Sequence, residues 1–308
     1  MYSKSFDFAQ DKLLEHCLLC GHRCAVNRLK GEVGICRAGL KPKIASHCMH
    51  RGEEPMISGA NGSGTIFFSY CSLCCVYCQN QAISQQAKGE EVTIDELAGI
   101  MLKLQGQKAH NINLVSPTHY APQIMEALSI ARGRGLKLPV VYNTGGYDSL
   151  ELIKMLQGKV DIYMPDFKYF EDEKAGKYSG AGNYVEVAQA GITEMFRQVG
   201  NIKLNDDGVA VSGLLVRHLV LPNSLSDSEK VINFLASLSK DLWVSIMSQY
   251  NPKYNNGKHP ELARKLNTDE YRMIVDHAQA AGLHNLYLQE IESSDNYLPD
   301  FSRNHPFE

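Results

Sequence analysis

The amino-acid sequence predicts an α/β fold: a partial, open parallel β/α barrel carrying a small Cys-rich N-terminal metal-binding extension. Two observations predict it. From about residue 64 onward, short apolar runs alternate with amphipathic helical stretches, and alternation with short links implies parallel strands joined by right-handed crossovers. All nine cysteines lie at or before Cys78, whereas cysteine kept only as a small core hydrophobe would scatter along the chain. The expected organisation is a Cys-rich metal-binding extension over 1–58, the barrel over 59–292, and a polar, Pro-containing surface tail over 293–308.

The elements follow in order. Residues 65–69 (Thr-Ile-Phe-Phe-Ser) read as a buried strand leading into the last cysteine group. Thr93-Ile-Asp-Glu96 is a capping-box sequence, and Leu97, Ile100, Met101 and Leu104 give helical spacing after it. A strand at 111–115, a helix near 123–133 and a strand at 138–142 come next. Asp148 is placed as the cap of a helix reaching Leu156, ahead of a strand at 160–164. A helix over 184–199, a strand over 213–221 and a helix capped by Ser226 and reaching Leu238 follow. Strand 242–247, a helix from Thr268 to about Ala280 stopped near Gly282, and strand 285–289 close the series. The count is about seven strands, short of the eight of a closed barrel, with a doubly wound sheet as the alternative. In either, ligands gather at the C-terminal strand ends.

A chain of 308 residues holds one large domain with a small appendage, and 44% hydrophobic content suits a globule with a real core. The net charge of −3 supplies no global pull toward nucleic acid or an anionic membrane. No run approaches the roughly 18 apolar residues of a membrane span, and the N-terminus lacks the pattern of a secretory signal. A cytoplasmic location is expected, with no nucleic-acid or membrane partner. In that reducing compartment the cysteines are expected to be metal ligands rather than disulfides.

The segment Cys71-Ser-Leu-Cys-Cys-Val-Tyr-Cys78 contains Cys71-x₃-Cys75-x₂-Cys78, three thiolates from one short loop. A cubane iron–sulfur cluster normally takes four cysteines, so three leave one iron with an exchangeable position. Counted with Cys74, the loop is also two abutting pairs, a zinc-like pattern; structural zinc sites usually separate their pairs by a dozen or more residues. The open cluster is favoured and leaves Cys74 spare, with zinc and packing or redox thiols as alternatives.

The trio, Tyr77 before its last cysteine and its place after the first barrel strand resemble the signature of the radical SAM superfamily. The resemblance implies a 4Fe-4S cluster on Cys71, Cys75 and Cys78 whose open iron binds S-adenosylmethionine through its methionine amino and carboxylate groups. Reductive cleavage then yields methionine and a 5′-deoxyadenosyl radical that takes hydrogen from substrate. The cofactors carry that chemistry, while the protein positions and shields them.

A narrower resemblance covers roughly residues 65–250. Val141-Tyr-Asn-Thr-Gly-Gly146 and Tyr163-Met-Pro-Asp-Phe-Lys168 are similar to strand-end segments of pyruvate formate-lyase activating enzymes. Asp166 and Lys168 fall on that family's Asp-x-Lys pair and Thr144 on its threonine, whereas Asn143 stands where the relatives have aspartate. These positions, with the backbone at Met164, are implied to hold a monovalent cation beside the methionine carboxylate; Asn143 keeps an oxygen there but not the charge. Where relatives carry Gly-Gly-Glu this chain reads Val115-Ser-Pro-Thr-His119, leaving Ser116, Thr118 or His119 for polar contacts. Arg217 falls on a strand whose arginine approaches the cofactor, and Gln249 and Tyr250 stand where the relatives have an adenosyl-side histidine. Without the resemblance, Asp166 with Lys168 is an exposed ion pair and Arg217 a barrel-lining one. The departures suggest a less characterised branch of activase homologues. The reductive step implies flavodoxin or ferredoxin as electron donor, and the family implies a glycyl radical enzyme or other protein as substrate. Radical chemistry on a small molecule or short peptide is the second hypothesis, and a non-catalytic zinc or iron–sulfur protein the third.

Cys17-x₂-Cys20-x₃-Cys24-x₁₁-Cys36 is a four-thiolate set with metal-ligand spacing, and Gly21, Gly31 and Gly34 permit tight turns around it. Zinc or an auxiliary cluster is expected, with reduced thiols as the alternative and His16, His22, His47, His50 and Cys48 as substitute ligands. Gly59-Ala-Asn-Gly-Ser-Gly64 lacks the ending of a phosphate loop and reads as a flexible lead-in.

Overall fold

The structure, a computed structural model, describes residues 8–255, 257–296, 298–301, 303 and 306–307. Its strands are β1 (Lys43–His50), β2 (Ser63–Phe68), β3 (Glu90–Glu91), β4 (Ile112–Val115), β5 (Val140–Thr144), β6 (Ile162–Pro165), β7 (Lys203–Leu204), β8 (Ala210–Leu219), β9 (Trp243–Met247) and β10 (Asn285–Leu288). They form one sheet in the order β10-β9-β8-β6-β5-β4-β2-β1-β3, with β7 paired to β8. From β2 to β10 the neighbours are parallel, while β1 joins β2 and β3 antiparallel. Among the described residues no ladder joins β10 to β3, so the parallel barrel is open. The strands predicted from residue 64 onward are the parallel ones, and the fold class is the expected one.

The helices are α1 (Phe8–Glu15), α2 (Pro55–Ser58), α3 (Gln81–Ser84), α4 (Ile94–Gly106), α5 (Ala121–Gly133), α6 (Leu150–Leu156), α7 (Asp172–Ser179), α8 (Tyr184–Val199), α9 (Ser228–Leu238), α10 (Thr268–Ala280) and α11 (Ser293–Asn296). None of the described helices is long and apolar enough to cross a membrane. The α4 capping box forms as its sequence predicts: the Glu96 N–H donates to Thr93 Oγ1 at 3.1 Å and the Thr93 N–H to the Glu96 carboxylate at 2.7 Å. Leu97, Met101 and Leu104 then face a core shared with α5 and the sheet.

Several expectations change. Ser149, not Asp148, caps α6, its Oγ accepting the Leu152 N–H at 3.2 Å. Asp148 is instead buried and accepts the Tyr142 and Thr144 hydroxyls at 2.9 and 2.6 Å. Ser226 does not cap α9; Asp227 precedes that helix, and Ser226 Oγ accepts the Leu221 N–H at 3.1 Å. The strand expected at 138–142 lies two residues later as β5, because Pro139 supplies a carbonyl to Ile112 but has no N–H for the ladder.

β1 and β2 lie on either side of the expected boundary at 58/59. β1 pairs along β2, and α2 inserts Met56 and Ile57 among Val141, Ile162, Met164 and Leu215, at the lower ends of the strands. The segment ahead of β1 docks on the loop after β5: the Gly21 N–H reaches the Tyr147 carbonyl at 3.1 Å, and the Ser149 N–H reaches Leu19 at 3.0 Å. The expected surface tail also turns inward. Phe301 is buried with its ring 5.5 Å from that of Phe67, and Phe307 lies 4.1 Å from the His50 ring. The remainder of that tail, residues 297, 302, 304, 305 and 308, lies outside the described residues.

Candidate functional site

The upper ends of the parallel strands open on a cavity of about 580 Å³. Cys71, Cys75 and Cys78 line it beside Asp166 and Lys168, and Ser116, Asn143, Thr144 and Arg217 complete the predicted wall. Residues scattered over about 150 positions of sequence therefore meet in one place.

The cysteine loop begins where β2 ends. It is fastened to the end of α7 by two backbone hydrogen bonds, from the Cys74 N–H to Ser179 O and from the Val76 N–H to Tyr178 O, both 2.9 Å. Cys75 is buried and lines the cavity, while Cys74 is exposed and does not. Each cavity thiol has a polar neighbour: the Leu73 N–H donates to Cys71 Sγ at 3.4 Å, Ser179 Oγ is 3.0 Å from Cys75 Sγ, and Ser84 Oγ is 3.4 Å from Cys78 Sγ. Burial, then the neighbouring Cys75 charge, pushes the Cys71 thiol up to about 12. Burial pushes Cys75 up to about 11 against the opposing pull of Lys168. Thiolates held so close, with Cys75 buried and Cys71 and Cys78 half-buried, need a compensating cation, which cluster iron provides. The donor set fits a 4Fe-4S cluster.

Opposite the loop, Lys168 Nζ donates to Asp166 Oδ2 at 2.5 Å. Burial opposes the lysine charge, but Asp166 outweighs it and keeps the ammonium protonated. Tyr184 steadies the backbone here: its hydroxyl lies 2.9 Å from the Gly145 and Asp166 carbonyls and accepts the Lys168 N–H at 3.0 Å. Gly146 (φ 79°) is required, since a Cβ there would stand 2.1 Å from Asp166 O. The Thr144 hydroxyl is turned to Asp148, so of this group Asn143 and Asp166 offer the freer side-chain oxygens. Ser116 takes φ 56°, the left-handed geometry that favours glycine.

Arg217 is held by Glu53 and Glu54, with Nε 2.9 Å from Glu54 Oε1. Burial disfavours the Glu54 charge, yet Arg217 outweighs it and keeps the carboxyl below its ordinary value. Both glutamates escaped the sequence reading because they precede the barrel in the chain. His119 is not brought to the cavity. Its Nε2 meets Ser69 O at 2.8 Å, and burial drives its pKa down to about 3. Thr118 is likewise turned away, its hydroxyl 3.3 Å from that of Thr144. Gln249 and Tyr250 do line the cavity.

The N-terminal thiols gather apart from this cavity. Burial, with smaller contributions from Cys36, Cys17 and Cys24, raises the Cys20 thiol, and the His22 N–H opposes the shift. Among the described residues, no three His, Cys, Asp or Glu side chains already converge on a single-ion position. A cubane takes its thiolates at separate corners, whereas one ion held by Cys17, Cys20, Cys24 and Cys36 requires those thiols to reorient. His22 Nε2 ties this segment to the Cys71–Cys78 loop through Ser72 O at 2.8 Å.

A parallel barrel with a three-cysteine loop at the head of its first parallel strand defines a class of metal-dependent α/β proteins. Residues 65–209 match the family model described as the radical SAM superfamily, so this part of the chain is a radical SAM domain. It is 30% identical over 285 residues to an uncharacterized protein of Methanocaldococcus jannaschii, covering 89% of this chain and 78% of that one. It is 24% identical over 192 residues to a pyruvate formate-lyase-activating enzyme of Clostridium pasteurianum, covering 61% of this chain and 73% of the enzyme. Among solved structures, SuiB of Streptococcus suis bound to its precursor peptide SuiA matches with a TM-score of 0.50 at 12% identity, over 76% of this chain and 50% of that one. The chain spans about half the length of the first solved structures it matches.

Proposed function

We propose that this chain is an activating-enzyme-like radical SAM oxidoreductase that takes a hydrogen atom from a glycyl or other site on a partner protein. The observation that carries it is the meeting of the cysteine trio with the Asp166–Lys168 pair on one cavity. Cys71, Cys75 and Cys78 would hold a 4Fe-4S cluster, which supplies the electron that cleaves S-adenosylmethionine. Lys168 offsets the methionine carboxylate, Ser116 and Asn143 offer polar contacts at neighbouring strand ends, and Tyr77 and Tyr250 form an apolar flank. Arg217 acts through its Glu53 and Glu54 pairs, fixing the cavity floor. A monovalent cation would draw on Asn143 and Asp166; Lys168 already supplies positive charge at that place. Flavodoxin or ferredoxin is the proposed electron donor. Zinc or an auxiliary cluster on Cys17, Cys20, Cys24 and Cys36 would lock the N-terminal segment against the loop after β5.

A second substrate class, a small molecule or short peptide, is favoured by Pro299 and Phe307, which line the cavity and narrow what enters it. Isotope transfer separates the two. A candidate glycyl radical enzyme carrying deuterated glycine, mixed with reduced enzyme and S-adenosylmethionine, should place deuterium in 5′-deoxyadenosine. Unlabelled 5′-deoxyadenosine from an active enzyme counts against that protein substrate.

A further inference from the structure

Behind the cysteine loop, four buried groups form a continuous hydrogen-bonded chain. The Tyr77 hydroxyl is 2.5 Å from the Tyr169 hydroxyl, Tyr169 is 2.8 Å from Ser179 Oγ, and Ser179 Oγ is 3.0 Å from Cys75 Sγ. Ser179 and Tyr169 are fully buried, and Tyr77 and Cys75 nearly so. We propose that Ser179 is a positioning residue that raises the reduction potential of the cluster through Cys75, and that Tyr169 and Tyr77 fix its hydroxyl in the donating orientation. This rests on the trio holding a cluster.

The direction of the chain follows from proton counting. An iron-bound thiolate carries no proton and can only accept, so Ser179 must donate to Cys75. With its single proton spent, Ser179 accepts from Tyr169, and Tyr169 in turn accepts from Tyr77. Bonds in such a series polarise one another, and a donor to a cluster sulfur favours the more negative, reduced state. The Ser179 contact is the shortest of the three thiol contacts; those to Cys71 and Cys78 are both 3.4 Å. The backbone of Ser179 already does the structural work by accepting the Cys74 N–H at 2.9 Å, which leaves the hydroxyl to the thiol. Gly180 (φ 72°) ends α7 and fixes where Ser179 stands.

The test is an EPR-monitored reductive titration of the reconstituted full chain without S-adenosylmethionine. Ser179→Ala should lower the midpoint potential, Ser179→Thr should restore it, and Tyr169→Phe should lower it by less. A Ser179→Ala cluster at full iron content with the wild-type midpoint overturns the proposal. Should Ser179→Ala load no cluster, Tyr169→Phe decides: a lowered midpoint supports the proposal and an unchanged one overturns it. A purely structural role would reduce cluster content without moving the midpoint. Failure of the functional reading looks different: the wild-type chain would then load its cluster and show a midpoint, yet yield neither 5′-deoxyadenosine nor methionine from S-adenosylmethionine.

Discussion

Lys168 concentrates the residue-scale chemistry: it is the cation beside Asp166 at the edge of a cavity lined by three thiols. Replacing it with Met leaves Asp166 unneutralised where a substrate carboxylate should bind. Lys168→Met is therefore expected to weaken S-adenosylmethionine binding roughly ten-fold, about 1.4 kcal/mol, by calorimetry on reconstituted enzyme at unchanged iron content. Cys71→Ala, Cys75→Ala and Cys78→Ala should each abolish S-adenosylmethionine cleavage, whereas Cys74→Ala should leave it largely intact because Cys74 is exposed and off the cavity. Equal loss from Cys74→Ala in that assay contradicts the register. The trio was legible in sequence because one short loop supplies all three thiols that line the cavity. Ser179 and Glu54 were not, since they lie 104 and 163 residues from the groups they serve.

At the scale of elements, local signals survived where both partners sit within one turn. The Thr93–Glu96 box is such a case, and Thr93→Ala should cost about 1 kcal/mol in urea unfolding. Where two capping residues adjoin, as at Asp148 and Ser149, local chemistry could not choose; the Tyr142 and Thr144 hydroxyls chose by claiming the aspartate. β1 was missed because Lys43-Ile-Ala-Ser-His-Cys-Met-His50 is only intermittently buried. α7 is short and strongly polar overall, yet it anchors the cysteine loop. α2 plugs the barrel with side chains that the sequence assigned to a separate extension. Met56→Ala should cost roughly 2–5 kcal/mol if that plug is part of the core, against near-zero if the extension were independent.

Across the whole molecule, the parallel order was legible because strand–helix alternation leaves few topologies. The inward return of Phe301 and Phe307 was not, being a tertiary contact of a polar segment. Burial also sets an acid limit. His119 and His218 are lowered from 6.5 to about 3 and about 4, both first by burial. Protons then bind the unfolded chain first, so stability is full above pH 6.5 and falls as pH drops toward those values, by about 1.4 kcal/mol per unit for each histidine. Asp148, raised by burial, acts in the opposite sense, and the two histidines outweigh it. Urea midpoints between pH 6.5 and 5 should fall accordingly; flat midpoints would contradict the burial of these rings. The central claim, that the cysteine trio and the strand ends form a radical-generating site, is tested most directly by anaerobic reconstitution with iron and sulfide, then dithionite and S-adenosylmethionine. The account predicts 5′-deoxyadenosine and methionine, and a fully loaded cluster that yields neither would contradict it.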